Sequence, residues 1–177
     1  MRDIAEFEAY AALRWPACFR SAYLLTGDRG MAEDLVQTAL SSCFVAWPGL
    51  RAREAADAYV RKAMLNTFLS WRRRCSWGRE TLTAVLPEPI TTDDSARVDE
   101  HQRLHDALAK LPARQRAVVV LRFYDDLGVQ EVATAMGCSV GTVKSQTSDG
   151  IRKLRALLGD DGKASSTSAG LSARGSR

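Results

Sequence analysis

Residues 81–100 divide this chain in two. The stretch runs from Thr81-Leu82-Thr83-Ala84-Val85-Leu86-Pro87-Glu88-Pro89 into Asp93-Asp94, with two prolines, four threonines, five acids against one base, and no helical period. Proline removes backbone donors, and an aperiodic polar run has no face to bury, so this is a linker, flexible over residues 81–97. Any fold must therefore be built from two compact segments, residues 1–80 and 98–158. The Gly/Ser/Ala-rich run 159–177 has little to bury and is expected to be a disordered tail. There is no internal repeat.

Both segments read as helical, which makes the expected fold class all-α: two small helical domains joined by a flexible acidic linker. Phe7, Leu13, Tyr23 and Leu24 anchor a first helical stretch, expected to break or bend at Pro16 and to close at Gly27. Asp28 is a candidate N-cap for a second helix, whose Leu35, Val36, Ala39, Leu40, Cys43, Phe44 and Trp47 form one apolar stripe. Trp47-Pro48-Gly49 ends it. A third helix, over about 54–74 or slightly beyond, carries Val60, Ala63, Met64, Thr67, Phe68 and Trp71 at i, +3, +4, +7, +8 and +11. The second segment opens with helices near 98–111 and 112–124, the latter with Pro112 in its first turn.

Two further helices, 129–136 and 140–158, flank Gly137-Cys138-Ser139. The glycine suits a left-handed C-cap and the serine an N-cap, so the spacing is that of a helix-turn-helix. Ala133 is small enough for close helix approach, and Val143 falls on the inner face. An ordinary helical hairpin is the bland alternative.

Composition narrows the function. The chain has 46% hydrophobic residues, enough for a core, and no run of about 18 apolar residues that would span a membrane. Its start, Met1-Arg2-Asp3-Ile4-Ala5-Glu6, lacks the basic flank and apolar run of a signal peptide, so a cytoplasmic protein is expected. Cys18, Cys43, Cys75 and Cys138 form no C-x-x-C pair; reduced, buried thiols are the reading and a zinc site assembled by the fold the lesser one. His101 and His105, spaced i, i+4, have no acidic or thiol ligand at matching spacing and read as a solvated pair. No metal, cofactor or catalytic residue is therefore expected. The net charge of +4 divides as +3 over residues 1–80, −4 over 81–100, +4 over 101–159 and +1 beyond, so two basic blocks flank an acidic bridge. A polyanion partner depends on where the charge sits, so the partition says more than the total.

The ordered motifs carry a resemblance. Leu127-Gly128-Val129-Gln130-Glu131-Val132-Ala133 through Val143-Lys144-Ser145 resembles region 4.2 of extracytoplasmic-function sigma factors, and Leu111-Pro112-Ala113-Arg114-Gln115-Arg116 through Leu121-Arg122 resembles region 4.1. Tyr23-Leu24-Leu25-Thr26-Gly27-Asp28 and Ala32-Glu33-Asp34-Leu35-Val36-Gln37 resemble regions 2.1 and 2.2. Ala58-Tyr59-Val60-Arg61, Asn66 and Trp71-Arg72-Arg73-Arg74 resemble regions 2.3 and 2.4, most closely in the sigma-E-like branch. The match runs in order from about Phe7 to Leu158.

The resemblance implies an RNA polymerase specificity subunit reduced to two domains, with three working faces. Glu33, Asp34, Gln37 and Ser41, opposite the apolar stripe of the second helix, match the surface that docks on the β′ clamp helices of the polymerase. On the third helix Tyr59, Lys62, Asn66, Ser70 and Arg73 share one face, extended by Arg72 and Trp77. Cations neutralise phosphate, an amide reads a base edge and aromatics stack on unpaired bases, chemistry that suits capture of a melted −10 element. Trp71 falls on the core side. In the last helix Thr142, Lys144, Ser145, Ser148, Asp149 and Arg152 face outward toward the major groove of the −35 element, while Val143, Thr147, Ile151, Leu154 and Leu158 face inward. Relatives often have Trp and Asp where Tyr59 and Ser70 stand, and usually Arg where Gln146 and Asp149 stand. Gly150, mid-helix, costs about 1 kcal/mol relative to alanine.

The partners implied are core RNA polymerase, through the β′ clamp helices and the β flap, and promoter DNA, with an anti-sigma factor as an optional third. A stand-alone helix-turn-helix regulator is the alternative, but residues 1–80 show no receiver or ligand domain. A plain helical adaptor would leave Arg72-Arg73-Arg74 unexplained, and a nucleic-acid enzyme would need an acid–base or metal cluster that no spacing supplies.

Overall fold

The computed structural model describes residues 4–50, 52–77 and 95–167. Its elements are α1 (Ile4–Thr26), α2 (Arg29–Ala46), a 3₁₀ turn (Trp47–Gly49), α3 (Arg53–Trp77), α4 (Ser95–Ala109), α5 (Ala113–Val119) continuing as a π-helical turn (Val120–Tyr124), α6 (Val129–Met136) and α7 (Val140–Thr167). The fold is all-α, with no strand among the described residues. Most of the linker, residues 78–94, and the end of the tail, residues 168–177, lie outside the described residues.

Helices α1, α2 and α3 pack as a bundle because each presents one apolar face. From α2, Leu35, Val36, Ala39 and Cys43 are fully buried, and α3 meets them with Val60, Met64, Leu65 and Phe68. Each such aliphatic or aromatic side chain contributes about 1.5–3 kcal/mol on burial. Asp28 caps α2 as expected, its carboxylate accepting the Met31 N–H at 2.7 Å. Gly27 closes α1 at φ +82°, donating to the Tyr23 carbonyl at 2.9 Å. At the far end Phe7, Tyr10, Phe44 and Trp47 form an aromatic cluster, with Phe7 edge-on to Trp47 at 5.2 Å.

Several expectations are corrected. Pro16 neither breaks nor ends α1, which runs through it. Pro16 and Ala12 are both exposed, so the carbonyl left without a proline donor faces water. Leu13 is 61% exposed, because α1 turns that face away from the bundle. Phe44 is 46% exposed, although its ring meets Phe7 at 5.0 Å. The 112–124 helix changes character at Val120, where the backbone widens into a π turn, and Pro112 stands outside it as N-cap. At its ends, α4 begins at Ser95 rather than 98, and α7 continues past Leu158 to Thr167.

The two segments also touch. One apolar cluster runs from Leu25, Leu65 and Phe68 into Ala117, Val118, Leu121 and Val132. The Arg116 guanidinium, 1% exposed, donates to the Leu25 carbonyl of α1 at 2.7 Å and to Leu111 and Ala109 of its own segment. Ser21 donates to the Asp125 carboxylate at 2.6 Å, and Arg20 to the Tyr124 hydroxyl at 3.0 Å. His105 belongs to this junction: it is 7% exposed, not solvated, and stacks on Tyr23 at 4.6 Å with its Nε2 3.4 Å from the Tyr23 carbonyl. His101 stays exposed.

Candidate nucleic-acid interface

The helix-turn-helix is built from local cap chemistry. Gly137 takes a left-handed conformation (φ 60°, ψ 42°), and the next N–H, of Cys138, returns to the Ala133 carbonyl at 3.0 Å. That pair ends α6 in a Schellman-like turn only glycine adopts without strain. Ser139 then caps α7, its hydroxyl accepting the Thr142 N–H at 3.1 Å. At the start of α6, Glu131 accepts the Gly128 N–H at 2.8 Å. Val132, Ala133 and Val143 are buried between the two helices, so α7 is held rigidly with its outer face free.

Lys144, Ser145, Ser148 and Arg152 are exposed, and Thr142 and Asp149 half-buried. Asp149 is not a lone carboxylate: it holds the Arg152 guanidinium at 2.6 Å. Lys153 and Arg155 add exposed cations. Gln130 and Thr134, exposed on α6, line a shallow groove with Gly137, Ser139 and Val140. Sequence reasoning passed over them; their polar i, i+4 spacing on a helix that would cross the DNA backbone was the available signal.

Gly150 has a reason in packing. A β-carbon there would lie 2.9 Å from Val119 Cγ2 and 3.5 Å from Gln115 Cβ, so α7 crosses α5 at a distance only glycine permits. Its helix-propensity cost secures the crossing that aims the outer face of α7.

On α3, Tyr59, Lys62, Asn66, Arg72 and Arg73 are exposed and Ser70 half-buried, opposite the buried Val60, Met64 and Phe68. Trp71 is half-buried on the core side. The side chain of Trp77 lies outside the described residues. On α2, Asp34, Gln37 and Ser41 are exposed. Glu33 is half-buried and accepts from Arg29 Nε at 3.1 Å. The three faces therefore lie on three different helices and are not drawn into one cleft.

Among the described residues no group of three His, Cys, Asp or Glu side chains could hold a metal ion, and no helix is long and apolar enough to cross a membrane. Burial raises the thiol pKa of Cys18, and that of Cys43 to about 11, so both are weak nucleophiles. Cys18, Cys43 and Cys138 are free thiols.

The second segment thus carries a helix-turn-helix and the first an exposed cation- and amide-bearing helix. Comparison with known proteins makes the class specific. The family model for sigma-70, region 4, matches residues 101–154. The chain is 38% identical to the RNA polymerase sigma-E factor of Streptomyces avermitilis, over 88% of this chain and 87% of that protein. It is 33% identical to the ECF RNA polymerase sigma factor SigL of Mycobacterium tuberculosis, with 87% of each covered. Among solved structures, the sigma factor RpoE of Bartonella quintana, in complex with the anti-sigma factor NepR, matches with a TM-score of 0.69 and 26% identity, over 88% of this chain and 98% of that one. The chain belongs to the sigma-70 family, in its extracytoplasmic-function, sigma-E-like type.

Proposed function

We infer that this chain is an alternative sigma factor: it binds core RNA polymerase and directs it to specific promoters, reading the −35 duplex with α7 and capturing the melted −10 element with α3. The observation that carries this reading is the pairing, in one chain and in family order, of a capped helix-turn-helix with the exposed Tyr59, Lys62, Asn66 and Arg73 row. Lys144, Ser145, Ser148 and Arg152, with Thr142 and Asp149, form the major-groove face, while Gln130 and Thr134 position the turn on the backbone. Asn66 supplies base readout, Lys62, Arg72 and Arg73 the phosphate contacts, and Tyr59 with Trp77 the stacking. Ser70 borders this row. Asp34, Gln37 and Ser41, with Glu33, form the docking face for the polymerase clamp, and the second segment meets the flap.

Opening of the DNA draws on binding energy for the single strand, so the chain itself has no bond to break and acts in the cytoplasm beside the polymerase. A partner of the anti-sigma class, such as the Bartonella relative has, completes the set. Run-off transcription with purified core on a genomic promoter library tests the reading. Promoter-specific transcripts should appear only when core and chain are combined. Specific duplex binding by the chain alone, with nothing added to core, would favour a stand-alone helix-turn-helix regulator.

A further inference from the structure

Beside the apolar contact of the two segments lies a cavity of about 300 Å³. Helices α1 and α3 supply most of its wall, and Leu121 and Tyr124 of the π turn, with Asp125, complete it. Part of its polar lining is already paired. The Tyr10 hydroxyl donates to the Asp57 carboxylate at 2.9 Å, Ser21 donates to Asp125 at 2.6 Å, and Arg20 Nε donates to the Tyr124 hydroxyl at 3.0 Å. Arg14 Nε lies 2.8 Å from Asp57 as an ion pair, yet this buried N–H is aligned with no acceptor. The half-buried Arg61 guanidinium makes no hydrogen bond or close ion pair among the described residues, and its charge reaches Asp125 only through space.

Donors outnumber acceptors around this space. A guanidinium has donors and no acceptor, and here Arg61 has every donor unused while both carboxylates already accept. Arg14, Arg20 and Arg61 against Asp57 and Asp125 leave the lining net positive. Water brings donors and acceptors alike, whereas a phosphate dianion brings acceptors alone, and its oxygens match the guanidinium fork. The rest of the wall is apolar, with Val60, Met64, Leu65 and Leu121 all buried. An anionic head on a compact apolar body satisfies both parts. The volume stands at the low end of small-molecule sites, which run about 300–1,000 Å³.

We propose that this cavity is a binding site for a small phosphate monoester, its phosphate held by Arg61 and Arg14 and its apolar body set against Met64, Leu65 and Leu121. None of the residues assigned to the polymerase, −10 or −35 faces lines it, so the site stands apart from the promoter reading. A guest there touches α1, α3 and the π turn at once, and a ligand that binds only the folded form stabilises it.

Phenyl phosphate joins the two chemistries in one small molecule and is the probe for the full chain. Calorimetry should show saturable binding at a single site, and the melting temperature should rise with probe concentration. Inorganic phosphate, without the apolar body, and phenol, without the anion, should each bind about tenfold more weakly or worse. Arg61→Gln should weaken phenyl phosphate by about tenfold or more with helicity kept, because the lost guanidinium bonds to no other described group. Lys110→Gln, at an exposed cation outside the cavity, should change nothing. If R61Q does not fold, Ala17→Leu, which fills the cavity from α1, should give the same loss. Heat that does not saturate, equal weakening by R61Q and K110Q, or full binding by a folded A17L chain would overturn the site and leave a water-filled cavity. Benzoate binding as tight as phenyl phosphate would overturn the choice of phosphate.

Discussion

Asp149 and Gly150, neighbours on α7, show how single residues set the outer face of that helix. Asp149 repels phosphate, but its bond to Arg152 also restrains the cation that stands beside it. Asp149→Ala should release Arg152 toward the backbone, so duplex affinity rises across sequences and the salt dependence steepens by about one phosphate contact. A titration of −35 duplex binding against salt measures this. Loss of preference at a single base pair, at unchanged general affinity, would instead mean that Asp149 accepts a hydrogen bond from a cytosine amino group. Gly150→Ala has opposing terms: helix propensity gains about 1 kcal/mol, while the clash with Val119 at 2.9 Å costs about 1–3 kcal/mol. The clash prevails because Val119 is buried and β-branched. The melting temperature should fall by a few degrees; a rise would mean that α7 shifts freely on α5.

At the scale of elements, helices and caps were legible because their signals are local. Asp28, Gly27, Gly137 and Ser139 each act within four residues of their own position, and all four do what their residue types suggest. Pro16 misled because exposure of the Ala12 position, whose carbonyl loses its donor, is a tertiary fact. The π turn at Val120 has no periodic signature, and Gly150 reads as a defect until the helix it crosses is known. The outer faces of α2, α3 and α7 were legible as faces, since they lie opposite apolar stripes, but their roles came from resemblance. A direct test of α2 is Asp34→Arg, at an exposed position. Binding to core should weaken about tenfold or more, with helicity and melting temperature nearly unchanged. A large loss of stability would make Asp34 structural.

The least legible feature belongs to the whole molecule. Nothing in the pattern around Arg116 announces that it serves a carbonyl 91 residues earlier, or that Asp125 meets Ser21 across the junction. Burial raises the Asp125 pKa above the ordinary carboxylate range, opposed by the Ser21 hydrogen bond and by Arg61 and Arg14. A raised carboxylate takes up a proton on folding, so its contribution to stability is present in acid and lost as pH rises through the raised value. Thermal melts across that window should show a lower melting temperature at the higher pH, and Asp125→Asn should flatten the profile. A profile of opposite slope would place the titrating group elsewhere.

Promoter recognition as proposed requires two helices of one small chain to read one promoter in the presence of core polymerase. Footprinting of a promoter recovered by run-off transcription tests that most directly, with wild type, Asn66→Ala and Lys144→Ala compared side by side. Core with the wild-type chain should protect both the −35 and −10 elements and open the DNA at −10. Asn66→Ala should lose opening while keeping −35 protection, and Lys144→Ala should weaken −35 protection first. Equal protection of the same site by the chain without core would contradict it.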